Sequence, residues 1–329
     1  MITVIIPVYN LRSVLDRCVK SVFNQSFFDW NMILVDDGST DGSNLLCDQY
    51  AQADSRITVI HQNNQGAAGA RNTGIEVALE RNTDYIIFLD GDDWWDDCLL
   101  EKMMERINHD HTLLAACGFY RIDSDGNILE SSKVPCCPTV WNARECYKHD
   151  RVIGTGPTNK LIAASLLQHN RFPEGKLFED EFFTYKLLYF AKRVSIVNEH
   201  LYYYCQRPGS LTHLPITAKG IGDKMEALYG KAVFFMEQGE KELEVEAKEK
   251  ALVANAKAVI VAIQNGRYSK DEFPKKYRMT KIESLYYIHK YCPENNYSYF
   301  LSKLYPNGVK IHNYLNKLVN WLRSLSQIN

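Results

Sequence analysis

The first quarter of the chain alternates between short apolar runs and stretches with helical spacing, and that rhythm restricts the fold more than any other feature. Ile2-Thr3-Val4-Ile5-Ile6 reads as a strand that Pro7-Val8-Tyr9-Asn10 breaks. Residues 12–26 then carry Val14, Leu15, Cys18, Val19, Val22 and Phe23 at helical spacing. Met32–Val35 is a second strand, followed by a helix through Leu45, Leu46 and Tyr50. Ile57–Ile60, a helix over 66–81 and the strand Tyr85–Leu89 complete the series. Such alternation predicts an α/β fold: a Rossmann-like, mostly parallel sheet with helices on both faces. Strands this continuously apolar fit burial from both sides.

In open sheets of this kind, ligands bind beyond the carboxyl ends of the strands. Three predicted strands end in polar or turn-forming groups: Pro7–Asn10, Asp36-Asp37-Gly38-Ser39-Thr40-Asp41 and Asp90-Gly91-Asp92-Asp93. Topology puts all three on one edge. The carboxylates at 90, 92 and 93 repel one another unless a cation shares them, and oxygen ligands suit a hard ion such as Mg²⁺. The competing reading is a solvated acidic turn. Asp36 and Asp37 offer acceptors to a base N–H or to ribose hydroxyls, or else close a turn and cap a helix. Tyr9 could lie against a planar base. In Asn64-Gln65-Gly66-Ala67-Ala68-Gly69-Ala70-Arg71-Asn72-Thr73-Gly74 the small residues allow a phosphate close to a helix start, or alternatively tight helix–sheet packing. Arg71 adds a rigid fork of donors.

Other chemistries lack their signatures. No Gly-x-Gly-x-x-Gly follows the first strand, and no Gly-x-x-x-x-Gly-Lys-Ser/Thr occurs, which disfavours dinucleotide cofactors and P-loop enzymes. Gly-x-Ser-x-Gly and His-Glu-x-x-His are missing too. A metal and a nucleotide without these signatures suggest a nucleotide diphosphate as leaving group. A net charge of −2 argues against nucleic acid as a partner. The nine cysteines include no Cys-x-x-Cys and read as reduced thiols, mostly in the core of a cytosolic protein. No basic leader precedes the first strand, and no apolar run reaches the ~18 residues of a spanning helix.

Taken together, Pro7-Val8-Tyr9-Asn10, Val35-Asp36-Asp37-Gly38-Ser39-Thr40-Asp41, the series Gly66, Gly69, Ala70, Arg71, Asn72, Gly74, and Asp90-Gly91-Asp92-Asp93 resemble the inverting glycosyltransferases of family 2. They stand in that family's order and spacing, and the resemblance covers residues 1 to about 212. It implies a GT-A fold that moves a sugar from a nucleotide-diphosphate donor, a UDP-sugar by preference, to a glycan or lipid-linked acceptor in bacterial polysaccharide biosynthesis. It implies donor binding by Pro7, Tyr9, Asp36, Asp37, Gly69, Arg71, Asp90, Gly91 and Arg207. Mg²⁺ or Mn²⁺ would be held chiefly by Asp92, with help from Asp90. Phe172–Glu181 is similar to the family's acidic segment, which puts the catalytic base at Asp180. Read without the resemblance, Glu179-Asp180 opens a helix that buries Phe183, Leu187 and Phe190, as dipole stabilisation alone predicts. Tyr202-Tyr203-Tyr204 looks like the family's aromatic strand, leading to a loop in which Arg207 reaches the diphosphate and Ser210-Leu211-Thr212 close over donor. His213 is either a further metal ligand or a solvated loop histidine.

The remaining segments say less. Trp94 and Trp95 read equally as a stacking platform for an acceptor sugar and as core. Leu113–Tyr120 reads as a further strand, 123–127 as a turn between strands, and Thr155–Leu161 as a turn into a short helix. Composition shifts near residue 216, which divides the chain into a catalytic domain, 1–215, and a helical C-terminal extension, 216–329. Helices are expected over 218–238 and 240–265, with a polar stretch at 266–280. In 297–329, Ile311, Leu315, Leu318, Leu322 and Leu325 share one face flanked by Lys310, Lys317 and Arg323. That pattern suits peripheral membrane contact, or packing on protein. Two rival classes remain. A nucleotidyltransferase expects a Gly-rich basic segment where Pro7–Asn10 stands, and a non-catalytic sugar-nucleotide module would have no use for Glu179-Asp180.

Overall fold

The computed structural model describes residues 1–149, 153–207, 218–248, 250, 251 and 254. The chain divides into two compact units, Met1–Pro215 and Ile216–Asn329.

The first unit begins with β1 (Ile2–Val8), α1 (Leu15–Phe23), β2 (Trp30–Asp36), α2 (Ser43–Ala53), β3 (Ile57–His61), α3 (Gly66–Glu80) and β4 (Tyr85–Phe88). It continues through β5 (Trp94–Trp95), α4 (Leu99–Asp110), β6 (Leu114–Ile122), β7 (Ile128–Ser131), β8 (Thr139–Asn142) and α5 (Ala143–Lys148). The last elements are β9 (Lys160–Ala163), α6 (Glu179–Ala191) and β10 (Arg193–Cys205). Along the sheet the order is β3-β2-β1-β4-β9-β6-β10-β5, with β7 on β6 and β8 on β10. β3, β2, β1 and β4 run parallel. β9 enters antiparallel between β4 and β6, and β10 returns parallel to β6.

Both faces are covered, which explains the unbroken apolar strands. Val4, Ile6, Met32 and Leu34 pack with α1, α2 and α4; Ile5, Ile33, Val35 and Phe88 pack with α3 and α6 on the other face. Each strand therefore sends successive side chains into two separate cores. Gly74 marks how closely α3 lies on the sheet: a Cβ there would stand 2.4 Å from Ile5 Cγ2.

Several expectations need correction. Pro7 lies inside β1, opposite Val35, and does not break it. Val8 O accepts from Asp37 N on the β2 side and Ile5 O from Leu89 N on the β4 side. Pro7 thus faces the β4 side, where pairing has ended at Phe88, and its missing N–H costs no ladder bond. Lys160 and Leu161 belong to a buried strand, not to a helix; the short helical turn follows at Ala164–Leu167. Phe190 is exposed, while Phe183 and Leu187 are fully buried. Among the described cysteines, Cys136 and Cys137 are exposed, against five that are buried.

In the second unit α7 (Ala218–Glu237) and a further helical stretch, 241–248, are described. Met225, Leu228 and Ala251 form a small apolar cluster there. The loop 210–213, most of the helix expected at 240–265, the polar stretch 266–280 and the amphipathic segment 297–329 lie outside the described residues. Among the described residues no helix is long and apolar enough to cross a membrane.

Candidate active site

The parallel order β2-β1-β4 puts the carboxyl ends of three strands side by side, each carrying one of the polar motifs. Hydrogen bonds lace the first two together. Asn10 N donates to Ser39 Oγ at 3.1 Å, Thr40 N to Asn10 Oδ1 at 2.9 Å and Arg12 N to Asp41 Oδ2 at 2.9 Å. Asn10 is held at φ 54°, a left-handed backbone that asparagine tolerates. Tyr9, beside it, is half exposed. The third motif packs on the first: a Cβ at Gly91 would lie 2.6 Å from Leu11 Cδ1 and 3.3 Å from Pro7 O. A larger residue between Asp90 and Asp92 would have to displace the Leu11 side chain and crowd the Pro7 carbonyl.

The three carboxylates at 90–93 do not share a position. Asp93 is turned into the core, where it accepts from Tyr202 Oη and, at 2.8 Å, from Cys205 N. Burial, together with the charges of Asp90 and Asp92, pushes its carboxyl well above the usual range. Asp90 and Asp92 each meet an arginine: Arg71 Nη2 donates to Asp90 Oδ1 at 2.7 Å and Arg207 Nε to Asp92 Oδ2 at 2.8 Å. Burial raises the Asp92 carboxyl, Arg207 opposes that rise, and the Asp90 charge adds to it.

Arg71 reaches further. Its side chain is 6% exposed and its Nη1 donates to Glu179 Oε1 at 2.6 Å. It therefore ties the end of β4 to the first residue of α6, Glu179, which lies 108 positions after Arg71. Phe178, just before α6, is held at φ 59°, a left-handed conformation that a bulky residue adopts only under constraint. Asp180 follows. Its Oδ2 accepts from Thr155 Oγ1 at 3.0 Å and its Oδ1 from Glu181 N at 2.9 Å.

Asp36 and Asp37 are 3% exposed and already engaged. Asp36 accepts from Ser39 N at 3.0 Å and pairs with His61 Nδ1 at 2.8 Å. Asp37 accepts from Gln62 Nε2, Gln65 N and Gly66 N at 2.7 to 2.8 Å. A carboxylate thus occupies the start of α3, where the sequence suggested a phosphate. Gly69 lies one turn inside that helix and is buried, with Gln65 Cβ 2.5 Å from where its Cβ would be. Trp95 is core, whereas Trp94 stacks with the Tyr203 ring, centroids 5.5 Å apart, and has the Arg17 guanidinium 3.5 Å from its own centroid.

No group of three or more His, Cys, Asp or Glu side chains converges on a point among the described residues. Mg²⁺, however, is usually held by one or two carboxylates together with phosphate oxygens, and Asp90 with Asp92 supplies that donor set. The chemistry of these two carboxylates would fit a hard divalent ion shared with phosphate oxygens. Sequence reasoning missed three partners here: Glu179 on Arg71, His61 on Asp36 and Thr155 on Asp180. Each is a single polar residue distant in sequence from its partner, and no local pattern marks it.

Comparison with known proteins adds to this geometry. Residues 3–168 match the family model described as Glycosyl transferase family 2. The uncharacterized glycosyltransferase EpsJ of Bacillus subtilis is 33% identical over 223 residues, 65% of this chain and 64% of EpsJ. Glycosyltransferase GlyG of Streptococcus pneumoniae is 32% identical over 221 residues, 64% of this chain and 72% of GlyG. The chain thus spans just under two thirds of the first relative's length. Among solved structures, S. aureus TarS 1–349 in complex with UDP-GlcNAc superposes with a TM-score of 0.68 at 18% identity, over 98% of this chain and 92% of that one. The architecture is accordingly the GT-A fold.

Proposed function

Since the chain belongs to glycosyl transferase family 2, we propose that it moves a sugar from a nucleotide-diphosphate donor, a UDP-sugar, to a hydroxyl of a glycan or lipid-linked acceptor during synthesis of a bacterial surface polysaccharide. One observation carries the reading. Arg71 pairs with Asp90 at the end of β4 and with Glu179, the residue before Asp180, at the start of α6, which supports a reading in which a leaving-group site and a proton acceptor serve one substrate. TarS, which shares the fold, was solved with UDP and with UDP-GlcNAc, and this supports a uridine nucleotide.

The chemistry is a single displacement. The acceptor hydroxyl loses its proton to Asp180 as its oxygen bonds the anomeric carbon, and the bond to the donor diphosphate breaks on the opposite face. The configuration inverts. Both Asp180 oxygens are fixed by one hydrogen bond each, which leaves a lone pair on each to take the proton. Asp90 and Asp92 would hold Mg²⁺ or Mn²⁺, which when bound supplies positive charge against the departing diphosphate. Tyr9 offers a half-exposed ring beside the strand ends for a base to rest on. Arg207, released from Asp92, has the reach to pair with phosphate oxygen.

A panel of UDP-sugars, GDP-mannose and dTDP-glucose, with Mn²⁺ and release of nucleotide as readout, tests the reading. Turnover with a UDP-sugar that is abolished in Asp180→Asn, with donor affinity kept, is the expected result. Asp180→Asn turning over like the parent would place the base elsewhere.

A further inference from the structure

Lys160, in β9, is a lysine with no exposure at all, and the displacement described above makes no use of it. Its Nζ lies 2.6 Å from Gly156 O, 2.9 Å from Ile153 O, 2.9 Å from Asn159 Oδ1 and 3.2 Å from Gly154 O, four acceptors around an ammonium's three N–H groups. Among the described residues no carboxylate touches it. Burial pulls its pKa down to about 7, with Cys117, Cys146 and Asp180 raising it. Burial pushes both thiols up to about 12, which leaves Asp180 as the charge among these neighbours. An ammonium kept in the core without a contacting counter-ion is costly, and an apolar side chain of the same length would normally serve stability better. What the ammonium provides is visible in its partners. The carbonyls it gathers come from residues on both sides of Thr155.

Thr155 is the residue whose hydroxyl donates to Asp180. Its own carbonyl accepts from Thr184 Oγ1, one turn further along α6. The loop is thus pinned from beneath by Lys160 and from the side by Thr184. Gly154, at φ 70°, supplies the bend that lets its neighbours' carbonyls converge. Asn159 reinforces the arrangement by donating to Ile153 O at 3.0 Å and Cys117 O at 2.6 Å.

We propose that Lys160 is a positioning residue for sugar transfer: its ammonium draws the carbonyls of Ile153, Gly154 and Gly156 to one point and so fixes the loop from which Thr155 orients the Asp180 carboxylate. The inference rests on the reading of Asp180 as the base. It concerns the chemical step, because neither Lys160 nor Thr155 contacts the residues assigned to the donor.

The test compares Lys160→Met, Thr155→Val, Thr155→Ser, the Lys160→Met/Thr155→Val double variant and Asp180→Asn in the full chain. UDP release from the donor that turns over fastest in the panel is the assay. A misplaced catalytic group costs up to ~100-fold, so kcat should fall ~10- to 100-fold in Lys160→Met and Thr155→Val while KM for donor stays within about twofold. Thr155→Ser, which keeps the hydroxyl, should restore kcat. The double variant should fall no further than the worse single one, because both changes act through one hydrogen bond. Should Lys160→Met fail to fold, the Thr155 pair carries the test alone. Wild-type kcat in Thr155→Val beside an inactive Asp180→Asn overturns the loop proposal and leaves the base assignment standing. An active Asp180→Asn overturns both.

Discussion

Replacing Arg71 by methionine should destabilise the first unit by a predictable amount. The guanidinium is 6% exposed and spans Asp90 at 2.7 Å and Glu179 at 2.6 Å, while its Nε has no hydrogen-bond partner. Burial alone would pull its pKa down, yet the attraction of the two carboxylates outweighs that and raises it. Removing one member of a buried ionic cluster strands the others, at a cost of ~3–5 kcal/mol. Asp90 and Glu179 are 34% and 20% exposed and recover some hydration, which places the loss at the lower end, about 3 kcal/mol. For a unit of roughly 200 residues each kcal/mol moves Tm by about 2–4 °C, so a fall of ~6–12 °C is expected. Differential scanning calorimetry of wild type, Arg71→Met and Glu179→Gln, the last removing one charge only, measures it. High salt should change the difference little, because buried pairs are poorly screened. A shift below ~2 °C in Arg71→Met would refute the claim that these ion pairs hold the two halves of the site together.

Three further outcomes are expected. Gly74→Ala places a methyl 2.4 Å from Ile5 Cγ2 and should cost ~1–3 kcal/mol by overpacking, read from urea midpoints, whereas Gly126→Ala, an open but left-handed turn, isolates the backbone contribution. His61 hydrogen-bonds Asp36 and Asp48, and the Asp36 bond raises its pKa against the opposing effect of burial. A raised folded pKa gives stability that is fully present below the unfolded value and is lost as pH rises through the folded one. Stability should therefore decline from about pH 6.5 upward in the wild type, and His61→Asn should flatten that part of the urea-midpoint profile. Removing divalent ions with EDTA should abolish UDP release and adding Mn²⁺ or Mg²⁺ should restore it; turnover that survives dialysis against chelator would remove the ion from the mechanism.

Much of the site was legible because its residues are clustered locally. The strand ends at Asp36-Asp37 and Asp90–Asp93 announce themselves as acids after apolar runs, and alternation fixes that parallel strands open them onto one edge. Their partners were not legible. Asp93 looks like its neighbours in sequence, yet it faces the core because Tyr202 and the Cys205 N–H, 109 and 112 residues away, satisfy it there. The buried strand at Lys160–Ala163 read as a turn and helix, since a lysine inside a strand buried on both faces contradicts local propensity until the carbonyls of Ile153, Gly154 and Gly156 close over it.

The amino-acid pattern by itself determined the strands of the first quarter of the chain and that the ends of the second and fourth carry acids. Periodicity and turn chemistry are properties of neighbours along the chain, so they are written in it. Tertiary structure decided which partners the acids meet: Asp37 the start of α3, Asp93 Tyr202, and Asp90 an arginine shared with Glu179. A carboxylate's role depends on what lies within about 3 Å of it, and for these residues that is set by strands and loops that meet only after the chain has folded.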